Sequence, residues 1–225
     1  MTDLARSPYS RPHSQLRLEQ EAAKRVLDIA VSLSAIVALA PLFVLLFLLV
    51  RSTSQGPALF RQERLGRGKQ PFTMLKFRTM YTGNDDRIHR EFVTSMLSGE
   101  QPTAAARGVL FKPAADPRIT RAGAWLRRAS LDELPQLFNV LRGEMSLVGP
   151  RPVLPWEEEM FRAADRRRFD VKPGMTGLWQ VSGRSRLSMR QALDLDAEYV
   201  RRRSLAFDLL ILFRTLPALL RGGAG

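Results

Sequence analysis

The chain has 225 residues, with 35 Lys and Arg against 22 Asp and Glu, a formal charge of +13 and no cysteine. That length favours one domain with at most a small appendage, and the charge points to anionic partners: nucleic acid, lipid headgroups or phosphorylated substrates. The absence of cysteine excludes disulfides, thiolate catalysis and Cys-type zinc sites, and the two histidines, His13 and His89, lie in a Pro/Ser/Arg-rich tail and a charged stretch. Catalysis must therefore rest on carboxylates, hydroxyls, Lys, Arg or an oxygen-ligated metal. The plainer reading of the charge is that cytoplasmic flanks of membrane segments are routinely basic.

Residues 1–22 hold Pro8, Pro12, several Arg and few large apolar side chains, and read as a disordered basic tail. After Lys24, Arg25 and Asp28 comes an uncharged run from Ile29 to Val50. At 1.5 Å per residue its length is roughly 33 Å, enough to enter or cross a bilayer. It is apolar on every face, which argues against a buried core helix and leaves a spanning helix or a re-entrant hairpin. Basic residues flank both ends, so the positive-inside rule is met best if both ends stay on one side. Pro41 removes a backbone hydrogen bond near the middle and kinks or breaks the helix. Both facts favour a membrane hairpin over 23–51 that dips in and returns.

Two short alternating runs, 58–62 and 72–78, flank the turn Gly66-Arg67-Gly68-Lys69-Gln70 and predict a β-hairpin. Period two puts Phe72, Met74, Lys76 and Arg78 on one face of the second strand. Residues 81–115 form a connecting segment with one short helical stretch around 86–97. A helix is expected over 121–128, a charged helix over 155–168, a Gly-punctuated loop with a short strand over 171–186, and a helix over 188–203. The apolar tail 205–220 is interrupted by Asp208, Arg214 and Pro217 and reads as an interfacial helix. The fold class is α+β and mostly helical.

The segment from Ser130 to Pro152, SLDELPQLFNVLRGEMSLVGPRP, carries the chemistry. Asp132 and Glu133 stand just ahead of a helical pattern. Ser130 and Glu133 fit a capping box, but Pro135 would then fall at the fifth helical position. With Asp132 as N-cap, Pro135 is the third helical residue, where its missing N–H costs nothing, and Asp132 lies where free helix amides attract phosphate. Lys76, Arg78, Arg127, Arg151 (between Pro150 and Pro152) and Arg184 are candidate phosphate or nucleotide ligands, because guanidinium forks bind phosphate oxygens in pairs. Each taken alone reads first as a solvated surface charge.

These stretches together (KRVLDIAVSL with its apolar run, FRQERLGRG, MLKFRTM, DPRIT, LRRASLDELPQLFNVLRGEMSLVGPRPV and VKPGMTGLWQVSGRS) resemble the bacterial sugar transferases, monotopic polyprenyl-phosphate phosphoglycosyl transferases of the small, catalytic-core form. The resemblance runs from about Lys24 to Leu220. It implies a catalytic domain over 52–221 on the cytoplasmic face of the bacterial inner membrane, held by the re-entrant hairpin. The implied reaction transfers a sugar 1-phosphate from a UDP-sugar to undecaprenyl phosphate with release of UMP. Asp132 would be the nucleophile, forming a covalent phosphosugar intermediate; Glu133 would position it or share a Mg²⁺, for which only hard oxygen ligands are available. By motif match Lys76, Arg127, Arg151 and Arg184 would hold phosphates or the nucleotide. The chain departs from the family's usual pattern at Ala40, where a serine often precedes the proline, and at Arg203 and Arg186, where a Trp and an acidic residue are common. The resemblance is to the short form, so a catalytic core without the extra N-terminal membrane domain of the longer members is expected. Inner-membrane lipid is an expected partner, and the apolar face of the last helix leaves a homodimer open. Nucleic acid is not expected, since no nucleic-acid-binding signature accompanies the charge; an inactive assembly scaffold is the other alternative.

Overall fold

The computed structural model describes residues 13–82, 90–91, 93–95, 118–183 and 187–220. Helix α1 (His13–Ala38) and helix α2 (Ala40–Thr53) meet at Leu39, with Pro41 in the first turn of α2. No single described helix is long and apolar enough to cross a membrane; the pair is, but it bends by 66° at this break. Proline explains the position of the bend, because it is tolerated in a helix's first turn and not in its interior. Residues 13–22, expected to be disordered, are helical. Leu16 to Ala23 are mostly strong helix formers, and Glu21 reaches the guanidinium groups of Arg67 at 3.4 Å and Arg203 at 3.3 Å.

The hairpin forms as read. Strand β1 (Leu59–Leu65) pairs antiparallel with β2 (Pro71–Phe77), joined by a 3₁₀ turn at Arg67–Lys69. Helix α3 (Arg121–Arg128) follows, capped by Thr120, whose hydroxyl accepts from the Gly123 N–H at 2.9 Å. The chain continues through a 3₁₀ turn at Leu131–Glu133 into α4 (Gln136–Arg142). A second, parallel pair joins β3 (Ser146–Val148) to β4 (Gly174–Thr176). The charged helix expected over 155–168 is only α5 (Pro155–Glu159), followed by a 3₁₀ segment, Asp165–Asp170. It breaks because the Asp165 carboxylate takes the Arg162 N–H at 2.9 Å, an acceptor that competes with the helix. Helix α6 (Leu178–Ser182) replaces part of the expected loop; α7 (Met189–Arg202), with Ser188 as its cap, and α8 (Leu205–Leu220) complete the order.

One apolar core gathers Met74, Leu137, Val140, Met145, Val148, Tyr199 and Ile211, so the hairpin, α4, the parallel pair and the last two helices share one interior. Polar bolts tie α1 to it. Asp28, buried, accepts from the Ser146 hydroxyl at 3.0 Å and the Leu147 N–H at 2.9 Å. Lys24 pairs with Asp208 of α8 at 2.5 Å, and Tyr199 donates to the same carboxylate at 2.7 Å. Arg25 donates to the carbonyls of Val140 and Leu141 in the last turn of α4, the first of which also accepts from the Gly143 N–H at 3.0 Å. The faces of α1, α2 and α8 turned away from this core are apolar and exposed, at Val37, Val44, Leu45, Leu48, Phe213 and Leu216.

Candidate active site

Asp132 is not a helix cap. Ser130 adopts the left-handed region (φ +56°) and turns the chain into the 3₁₀ turn that holds both carboxylates, while Pro135 occupies the N-cap of α4. The expected register fails because a 3₁₀ turn at Leu131–Glu133, rather than a single cap residue, precedes α4 within the connection 129–135. Asp132 is consequently buried (7% exposed) and Glu133 partly open (side chain 28%). The turn is fixed from two sides. Gly123 of α3 lies so close to Thr79 that a Cβ there would stand 2.1 Å from the Thr79 carbonyl oxygen, so only glycine permits this approach. Asn139 of α4, fully buried, accepts from the Leu75 N–H at 3.0 Å and donates to the Thr73 carbonyl at 2.7 Å. This clasp locks α4 against β2 at the residues flanking Met74, and the next residue along, Lys76, reaches Glu133 with Nζ 2.9 Å from Oε1.

Arg151 reaches the same carboxylate oxygen, Nη1 to Oε1 3.9 Å. Its loop is held carbonyl by carbonyl. The Pro150 oxygen accepts from the Gly174 N–H at 2.8 Å, Arg151 from the Arg168 guanidinium at 2.6 Å, Pro152 from Arg64 at 3.3 Å, and Val153 from the Leu65 N–H at 2.9 Å. Two prolines fix φ in a stretch that has little hydrogen-bond donor capacity of its own. Arg168 is in turn paired with Asp196 at 2.9 Å, both nearly inaccessible, and Arg64 with Gln62 at 2.6 Å. Burial pushes the Asp196 carboxyl up to about 6, against the pull of Arg168 and Arg151.

The expected residues thus divide. Lys76, Glu133 and Arg151 converge, with Asp132 beside them. Arg127 lies in the last turn of α3, half-buried, where its carbonyl accepts at 3.2 Å from the Ser130 N–H that leads into the turn. Arg78 faces elsewhere: its guanidinium donates to the Val50 carbonyl at 3.3 Å, the Ser54 carbonyl at 2.7 Å and the Ser54 hydroxyl at 2.9 Å. It is buried, and burial followed by the charge of Arg51 lowers its pKa. It ties β2 to the end of α2 rather than facing Glu133, because the strand ends at Phe77 and the alternation expected to align it with Lys76 stops there. Arg184 lies outside the described residues, as do Arg186 and most of the connecting segment; within that segment residues 90–91 and 93–95 are helical. Sequence reasoning missed Arg64, Arg168, Asp196 and Asn139. A buried arginine inside Asp165-Arg166-Arg167-Arg168 has the local pattern of a solvated run, and only the long-range partner distinguishes it.

Among the described residues there is no group of three or more His, Asp or Glu placed to hold a metal. Two adjacent carboxylates are nonetheless a fitting donor set for a Mg²⁺ that takes its other ligands from water and a diphosphate, since this ion is commonly held by one or two carboxylates plus substrate phosphates.

The model of the family described as bacterial sugar transferase matches residues 19–222. The chain is 43% identical over 196 residues to the exopolysaccharide production protein ExoY of Sinorhizobium fredii, covering 87% of this chain and 84% of that one. It is 41% identical over 212 residues to the UDP-glucose:undecaprenyl-phosphate glucose-1-phosphate transferase of Caulobacter vibrioides (91% and 72%). It is 40% identical over 198 residues to the undecaprenyl-phosphate galactose phosphotransferase of Salmonella typhimurium (88% and 40%). With its match extending from α1 to the end of α8, and the acidic turn and the clamped Arg151 loop both inside it, the chain belongs to the bacterial sugar transferase family.

Proposed function

We propose that this protein transfers a sugar 1-phosphate from a UDP-sugar to undecaprenyl phosphate, releasing UMP, as the step that begins exopolysaccharide assembly. The family membership and the names of its relatives support the reaction class. The observation that carries the site is a carboxylate pair set among fixed cations: Glu133 with Lys76 at 2.9 Å and Arg151 at 3.9 Å, next to the buried Asp132.

In the proposed mechanism an Asp132 carboxylate oxygen attacks the β-phosphorus of the UDP-sugar. A P–O bond forms to Asp132, the bond from that phosphorus to the bridging oxygen breaks, and UMP leaves with the bridging oxygen. An oxygen of undecaprenyl phosphate then attacks the same phosphorus. The Asp132–phosphorus bond breaks, and the carboxylate returns as the lipid diphosphate sugar departs. Two displacements at one carboxylate suit one substrate from water and another from the bilayer. Lys76 and Arg151 stabilise charge on the transferring phosphoryl oxygens, where fixed cations cost no reorganisation. Lys76 also holds Glu133, so that Glu133 keeps its orientation beside the nucleophile. Asp132 and Glu133 would bind a Mg²⁺, which supplies further neutralisation of the diphosphate when present.

The bent α1–α2 pair is the proposed anchor, a re-entrant hairpin with both ends on the cytoplasmic face of the inner membrane. Exposed Val37, Val44, Leu45 and Leu48 on these helices, and Phe213 and Leu216 on α8, form the surface that lipid would cover. The direct test is UMP release by the detergent-solubilised protein with undecaprenyl phosphate, Mg²⁺ and a panel of UDP-sugars, beside Asp132→Asn and a chelated control. Release with one sugar, lost in both controls, is the expected result. Undiminished release by Asp132→Asn would remove the covalent mechanism.

A further inference from the structure

A cavity of about 700 Å³ is lined in part by Arg25, whose guanidinium donates to the last carbonyls of α4 at the end of that helix opposite the acidic turn. It lies between α1, the segment after Asp170 and the α7–α8 turn, and the proposed transfer reaction makes no use of it. Part of the charge lining it is already compensated. Asp208 is paired with Lys24 and held by Tyr199, and Glu21 is paired with Arg67 and Arg203; Asp28 is hydrogen-bonded to the neutral Ser146 hydroxyl and Leu147 N–H and keeps its charge.

Three cations remain. Arg25 donates only to the Val140 and Leu141 carbonyls, which leave its charge unneutralised. Lys172 and Arg201 form no ion pair or hydrogen bond among the described residues. The remaining acid on the wall, Asp170, is exposed. The Arg25 and Lys172 heads converge over Gly143, each with a nitrogen about 3.3 Å from where a Cβ would stand, at a residue whose φ of +83° already demands glycine. Burial, followed by the Arg25 charge, holds the Lys172 ammonium below its ordinary pKa range. Asp28 and Glu21 act on Lys172 in the opposite sense, but neither forms an ion pair with it or with Arg25, so two cations held together in this concave site favour an added anion.

The rim identifies the anion. Arg25 and Asp28 line the cavity, and Val26 and Ile29 beside them on α1 are exposed; Asp208 lines it, and Leu209 and Leu210 beside it on α8 are exposed. A charged pocket whose edge passes directly into apolar helix faces matches a phospholipid, headgroup in and acyl chains along the helices. We propose that this cavity binds the phosphate of an anionic glycerophospholipid headgroup, seating the domain against the bilayer at a point separate from the acidic turn. The proposal rests on the membrane anchoring inferred above but not on the transfer reaction.

The test is native mass spectrometry of the full chain released from phosphatidylcholine nanodiscs containing phosphatidylglycerol. The wild type is compared with Lys172→Ala, Lys172→Glu and Arg61→Glu, the last an equal charge change on the exposed hairpin. Thermal unfolding in detergent, with phosphatidylglycerol or inorganic phosphate added, is followed in parallel. The wild type and Arg61→Glu should retain phosphatidylglycerol, with retention falling about fivefold in Lys172→Ala and more than about tenfold in Lys172→Glu. Equal retention by wild type and Lys172→Glu would overturn the proposal, and so would an equal loss in Arg61→Glu, which would mark general surface attraction. Stabilisation of wild type but not Lys172→Glu by phosphate alone, with phosphatidylglycerol inert, would overturn the lipid assignment in favour of a soluble anion. These readouts do not involve turnover, so they fail or succeed independently of UMP release.

Discussion

Arg78 and Arg151 share a side chain and, on sequence, a role, yet the structure uses them in opposite ways. At Arg78 the guanidinium is buried and its hydrogen bonds go to the backbone and hydroxyl of the α2 terminus. At Arg151 the backbone is what is held, by Gly174 and Arg168 on successive carbonyls, and the guanidinium is left facing Glu133. At Arg151 the surroundings fix the backbone and set the guanidinium toward a carboxylate, the arrangement the proposed chemistry needs. At Arg78 they occupy the guanidinium, which serves architecture. Buried arginines of the second kind, Arg64 and Arg168, are what make the first kind possible.

The contrast breaks first by alanine substitution at both positions. Arg151→Ala should lower UMP release by about 10²-fold, as expected for removing a fixed group that stabilises developing charge, with little change in unfolding temperature. Arg78→Ala should do the reverse. Loss of a buried, charged donor to three acceptors costs about 3 kcal/mol, seen as a lower unfolding temperature, with near-normal activity per folded molecule. Matching losses of activity in the two variants would show that the distinction drawn here is false.

A smaller effect sharpens the comparison at Asp196, which holds Arg168 and through it the Arg151 carbonyl. Its folded-state pKa of about 6 lies above the ordinary carboxylate value. The folded protein therefore keeps this proton while the unfolded chain has lost it, so the group's contribution to stability is largest at low pH. That contribution falls by up to about 3 kcal/mol as pH rises from about 4 to about 6. Asp196→Asn does not titrate, so the stability of wild type relative to the variant should decline across that window in a pH series of unfolding midpoints. A difference independent of pH would place the Asp196 pKa elsewhere. The smallest effect is expected from Thr120→Ala, which removes the cap of α3 and touches neither arginine. A loss of about 1 kcal/mol with unchanged turnover is expected.

Local signals were sufficient where a single segment determines its own structure. The hairpin follows from alternation around Gly66 and Gly68, the bend from Pro41, and α7 from Ser188 and its amphipathic pattern. They failed where partners are distant in sequence. The short strand expected within 171–186 forms at Gly174–Thr176, but its partner Ser146–Val148 is too short to show a period, and their parallel pairing is a tertiary fact. Lys24, Arg25 and Asp28 read as the flank of a membrane segment, although they bolt α1 to β3, α4 and α8. The acidic pair is legible in the sequence as a candidate, because Pro135 argues against a simple capping box at Ser130. Its register is not, since the left-handed Ser130 has no signature of its own.

The central claim is that Asp132 carries the phosphosugar. The measurement that tests it most directly is intact and peptide mass analysis after exposure to the UDP-sugar without undecaprenyl phosphate. A phosphosugar adduct on the peptide containing Asp132, formed with release of UMP and absent from Asp132→Asn, is the predicted result. UMP released only when undecaprenyl phosphate is present, with no adduct on any peptide under either condition, would mean direct displacement and would contradict the account.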